Sequence, residues 1–78
     1  MTVCFQQRQF RLSRREIGYL RFLVEGYDGL LFMRTLDGRS GLVEMAWPAE
    51  REAEAMPLLV ALGLEIGMDE VAAGTAEA

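Results

Sequence analysis

Chemistry needs particular side chains within reach of one another, and this chain's inventory is short. It holds no histidine, no lysine and no asparagine, and one cysteine, Cys4. Ser–His and Cys–His nucleophiles, histidine-bound metals, Schiff-base lysines and phosphate-loop lysines are closed by that inventory. Carboxylate and guanidinium chemistry remains. Glu25 and Asp28 lie close in sequence, but a carboxylate base needs an acid partner and a cleft. The residues between them, Gly26 and Tyr27, read as a chain reversal, so Glu25 is assigned to the turn or to pairing with Arg21 or Arg34. Cys4 reads as a small strand residue, not a reactive thiol. The expectation is a non-enzymatic protein with no catalytic residue, no metal site and no cofactor.

All eight basic residues are arginines, and they are unevenly spread. Residues 1–21 carry Arg8, Arg11, Arg14, Arg15 and Arg21 against Glu16, a net of +4; residues 22–78 carry three arginines against eleven acids, a net of −8, which together give −4. The acidic total argues against nucleic acid as a partner. Arg14 and Arg15 fall in the first turn of a predicted helix, where positive charge opposes the dipole. Arg11, Arg14 and Arg15 are therefore the candidate anion- or ligand-binding set, with a solvated surface as the plain alternative. Two Gly-x-x-Gly spacings, Gly26–Gly29 and Gly38–Gly41, match an RNA-clamping loop only in spacing, and both read as ordinary turns.

The elements that must position these residues follow from periodicity. Val3–Leu12 reads as a first strand, most clearly over Arg8–Leu12; Val3 and Phe5 share one parity and Phe10 and Leu12 the other, which a bulge or two short pieces would reconcile. Ser13–Glu16 fits a capping box. A helix then runs from Arg14 to Tyr27, with Ile17, Leu20, Leu23, Val24 and Tyr27 on its core face. Gly18, Phe22 and Gly26 fall on a different side. A second strand, Leu30–Leu36, meets the hairpin signal Asp37-Gly38, and a third covers Gly41–Trp47. A loop that includes Arg39 aligns Leu31 and Met33 with Val43, Met45 and Trp47; it sets Phe32 near Glu44 and Arg34 near Leu42 on the other face. Pro48 opens a second helix, from Ala49 to Leu62, kinked or split at Pro57, with Gly63 as its cap. Leu64, Ile66 and Met68 then alternate as a fourth strand.

The order β-α-β-β-α-β predicts an α+β ferredoxin-like sandwich, an antiparallel sheet with both helices on one face. Residues 1–71 form the domain and residues 72–78 a flexible tail. The run Leu58–Leu64 is far shorter than the ~20 residues of a membrane span, and one cysteine suits a reducing compartment, so a cytoplasmic protein is expected. A domain this small is marginally stable alone. A homodimer or protein partner is expected, through Gly18, Phe22 and Gly26 or through an open sheet face bearing Leu30, Phe32 and Leu42. Phe32 with Arg34 would serve the less favoured RNA-binding reading.

The pattern Ile17-x-Tyr19-Leu20-x-Phe22-x-x-Glu25-Gly26-Tyr27-Asp28-Gly29-Leu30, followed by Arg34-Thr35-Leu36-Asp37, resembles a small uncharacterised bacterial family, domain of unknown function 4911. The resemblance covers residues 8–66 and brings no site residues with it. More distantly, the topology is similar to ACT-type regulatory modules, which implies small-ligand sensing at a dimer interface. Those modules use a glycine-bearing strand-to-helix loop, and the corresponding loop here, Phe10–Arg15, has no glycine.

Overall fold

Val43, Met45 and Trp47 alternate with Leu42, Glu44 and Ala46. In the computed structural model, which describes residues 4–71, that segment is a central strand. The elements are β1 (Phe5–Arg11), α1 (Ile17–Glu25), β2 (Phe32–Asp37), β3 (Leu42–Pro48), α2 (Glu52–Ile66) and β4 (Asp69–Val71). A 3-10 turn leads into each helix, Arg14–Glu16 before α1 and Ala49–Arg51 before α2. The sheet order is β2-β3-β1-β4 and every neighbouring pair is antiparallel. This is the α+β ferredoxin-like arrangement that the element order predicts.

Phe10, Val43, Met45 and Trp47 share one sheet face and pack with Leu20 and Val24 of α1 and Ala55, Leu59 and Leu62 of α2. Both helices therefore lie on that face. Trp47 is fully buried, and its indole N–H donates to Glu52 at 3.2 Å, so burial leaves no orphaned donor there. β1 needs no bulge: it pairs with β3 without a break, from Phe5 opposite Pro48 to Arg11 opposite Leu42. The parity conflict disappears because Phe5 belongs to the outer face, edge-to-face with Phe32 at 5.5 Å.

Four expectations are corrected. The hairpin loop is longer than a three-residue turn: Gly41 donates to the Asp37 carbonyl at 3.0 Å. Leu36 is an extra residue in β2, since Thr35 stands opposite Val43 and Asp37 opposite Leu42. Phe32 consequently faces Ala46 and Arg34 faces Glu44. The register moves by an even step, which keeps Met33 on the core face beside Met45. The capping box does not form: no side-chain bond caps the turn, and Ser13 accepts from Glu16 N–H through its backbone carbonyl. Tyr27 is 40% exposed, because α1 ends at Glu25 and the chain turns away before reaching it.

The fourth correction concerns α2. The helix is neither split at Pro57 nor capped at Gly63; it continues to Ile66. Leu59, Leu62 and Ile66 carry its core face past Gly63. The stop is Gly67, at φ 88°, whose N–H donates to the Gly63 carbonyl at 2.8 Å. Leu64 is thus helical and β4 begins only at Asp69. The tail expected at 72–78 lies outside the described residues.

Two glycines test these backbone assignments. Gly41 has φ 79° and packs against Leu12, whose N–H donates to the Gly41 carbonyl at 3.0 Å. A Cβ at Gly41 would run into the Leu12 carbonyl oxygen. Gly18 is helical, with open space where a Cβ would stand. Urea melts should show Gly41→Ala losing at least ~2 kcal/mol, and Gly18→Ala gaining about 0.5–1 kcal/mol.

Candidate functional site

The three candidate arginines do not converge. Arg11 lies on the outer sheet face, opposite Leu42, and its guanidinium donates to the Ser40 carbonyl at 3.3 Å. Arg14 and Arg15 sit in the 3-10 turn, both exposed. None of the three lines the groove beside α2, the hollow at Phe22 or the two hollows that flank Phe32.

The aromatic candidates fare differently. Gly18, Phe22 and Gly26 lie along the solvent side of α1, and all three are exposed. Phe22 is 70% exposed and borders a shallow hollow with Gly26 and Tyr27. Phe32 and Leu42 stand on the outer sheet face, as expected. Leu30 does not: it precedes β2 and packs against the core. The outer face divides into an apolar end, where Phe5 meets Phe32, and a charged end, where Arg34 and Glu44 form a 2.9 Å ion pair.

A further exposed apolar feature lies elsewhere. At about 100° per residue, Ala53, Pro57, Val60, Ala61 and Leu64 fall on the side of α2 opposite its core stripe. All five are exposed; Val60 reaches 62% and Leu64 82%. The helix is apolar on both sides. The signal is visible in the sequence, because Met56–Leu64 contains no charged residue. It is hidden once Leu64 is assigned to a strand. Along the flank of α2, a groove of about 260 Å³ opens toward β1 and β4. Phe10, Met56, Leu59 and Met68 line it, with Arg8 and Glu70 at its rim.

The model of the family described as Domain of unknown function (DUF4911) matches residues 10–66. The chain belongs to this family. No curated protein and no solved structure matches it. Among the described residues of this DUF4911 domain, no group of three or more His, Cys, Asp or Glu side chains is placed to hold a metal ion. No helix among them is long and apolar enough to cross a membrane.

Polar bonds of the DUF4911 domain tie the helices to their neighbours. Arg51 pairs with Glu54 at 2.8 Å and reaches the Gly29 carbonyl at 3.5 Å, which ties the start of α2 to the turn after α1. The Arg51 guanidinium holds the Glu54 carboxyl below its ordinary range. Arg21 donates to Thr35 at 2.9 Å, joining α1 to β2. The Tyr19 hydroxyl donates to Glu65 at 2.7 Å and joins the two helices. That bond, and the negative charge behind it, raise the Tyr19 pKa above the ordinary tyrosine value. A pKa raised on folding favours the protonated form, so the contribution is complete below the unfolded value. It is lost as pH rises through the folded one. In a Tyr27→Phe background, ultraviolet titration should show Tyr19 ionising later than a free tyrosine. Adding Glu65→Gln should bring that ionisation down, and an unchanged titration would show that the bond does not hold in solution.

Proposed function

We propose that this DUF4911 domain is a small, non-enzymatic, cytoplasmic interaction module that associates with itself through the outward face of α2. The observation that carries this reading is the uncharged stripe Ala53, Pro57, Val60, Ala61 and Leu64, exposed throughout. A helix that is apolar all round belongs inside a structure. Here the sheet and α1 cover one side of it, and the opposite side needs a third layer.

A second copy suits that side. An antiparallel pair of α2 helices, related by a two-fold axis between Val60 and Ala61, sets each Leu64 over the Pro57 of its partner. The same surface then offers both the projecting side chain and the low ground that receives it, as an isologous contact requires. The small residue Ala61, opposite Val60 of the partner, lets the backbones approach. No like charges meet along the stripe, since its residues carry none. Association also supplies apolar burial to a chain whose own core is small. Phe22 lies on α1, off the stripe, and is read as a secondary contact.

Sedimentation and concentration-dependent melting test the proposal. The wild-type chain should sediment as a dimer at micromolar concentration, with a melting midpoint that climbs with concentration. Leu64→Asp and Val60→Asp lie outside the core and should each give a folded monomer. Phe22→Ala should weaken association by less than either. A wild type that stays monomeric at high concentration would overturn the reading.

A further inference from the structure

Charge and apolar surface meet in the groove between α2 and the β1–β4 pair. Arg8 stands opposite Met45 in the strand pairing and Glu70 opposite Phe10, so both project on the helix side of the sheet. The Arg8 guanidinium lies 5.9 Å from the centre of the Trp47 ring, with its nearest nitrogen 3.6 Å from Glu70. That separation is long for an ion pair, and both side chains are about half exposed. Such a pair holds little energy and opens easily. Behind it the groove is apolar, with Phe10 on one side and Met56, Leu59 and Met68 around it.

The geometry points to a binding site for a free α-amino acid with a large aliphatic, thioether or aromatic side chain. The carboxylate takes Arg8 and the ammonium takes Glu70, so two charge-assisted contacts replace one loose pair. The side chain enters the groove against Phe10. A fatty carboxylate would leave two carboxylates side by side at the rim, and an alkylamine would bring a second cation beside Arg8. Only a zwitterion satisfies both rim charges. The volume of about 260 Å³ falls below the ~300 Å³ at which drug-sized pockets begin, which suits one amino acid and not a nucleotide. The site lies on the flank of α2, apart from Arg11, Arg14 and Arg15; Val60 and Leu64 of the proposed dimer stripe also line it, whereas its rim charges, Arg8 and Glu70, are not part of that stripe.

An NMR titration of the full chain tests the inference, with L-leucine, L-methionine and L-phenylalanine as probes and N-acetyl-L-leucine, L-leucinamide and L-alanine as controls. The three large amino acids should shift the Phe10, Gly63 and Met68 amides saturably. Each control should bind at least about tenfold more weakly, a difference of ~1.4 kcal/mol. Arg8→Gln should no longer distinguish leucine from leucinamide, and Glu70→Gln should no longer distinguish leucine from N-acetyl-leucine. Both variants change half-exposed side chains, and unchanged spectra away from the groove will show that the fold is kept. Amides that stay unmoved at millimolar leucine, or controls that bind as well as leucine, would overturn the assignment.

Discussion

β1 and β3 pair without interruption, and their register sets the parity of the whole sheet. Every inward position on one strand is matched by an inward position on the other: Phe10 faces Val43, Arg8 faces Met45, Gln6 faces Trp47. β2 and β4 then inherit their faces from these two central strands. A shift of one residue in this pairing would move Val43, Met45 and Trp47 out of step with Phe10 and divide the core. The same pairing places two polar residues of β1 on the helix side. Arg8 survives there because Trp47 and Glu70 stand beside it. The groove at the flank of α2 is thus a consequence of the central register: β1 has more inward positions than its apolar residues can fill.

Helix coverage follows from the same frame. Two helices cover one sheet face, and their inward residues Leu20, Val24, Ala55, Leu59 and Leu62 close the core. Nothing among the described residues covers the outer sheet face or the outward side of α2. These two surfaces are not alike. The outer sheet face mixes the Phe5–Phe32 pair with Arg34, Glu44 and Arg11, an amphipathic surface that water tolerates. The outward side of α2 has no polar side chain to offset Val60 and Leu64. A large apolar patch on a small domain is the feature that calls for explanation; scattered exposed side chains are not.

Element order and face parity were legible in the sequence because both rest on periodicity. The alternation of Val43, Met45 and Trp47 and the 3.6-residue spacing of Ile17, Leu20 and Val24 each fit one secondary structure. The segment Leu62–Met68 fits two. Leu64, Ile66 and Met68 alternate as a strand would, while Leu59, Leu62 and Ile66 recur as a helix face would. Gly67 decides the matter through its left-handed conformation, and no local pattern states which glycine will adopt it. The hairpin register was illegible for a related reason. Parity admits any even shift, and the extra residue at Leu36 selects one of them through pairing along the whole strand. At the candidate sites, Phe22 was legible from helical spacing alone. Leu30 was misplaced because β2 starts two residues later than its apolar run, at Phe32. The Val60–Leu64 pair was missed because the two residues were assigned to different elements.

The placement of charge bears on the kind of contact that the proposed dimer would make. Charged side chains join one element to the next: Arg51 to Glu54 and the Gly29 carbonyl, Arg21 to Thr35, Arg34 to Glu44, and Glu65 to Tyr19. These are exposed bonds, each contributing at most about 1 kcal/mol to stability. They fix how neighbouring elements meet. With the charged residues of α2 (Glu52, Glu54 and Glu65) at its ends, its middle is left with side chains that bind only by shape and by leaving water. A contact of that kind does not depend on long-range steering, and salt screens it little. Its strength depends instead on how well Leu64 and Val60 are received by the opposing surface. The proposed antiparallel two-fold arrangement would provide a receiving surface from Pro57, Val60, Ala61 and Leu64 alone, so it requires no second, independently shaped partner.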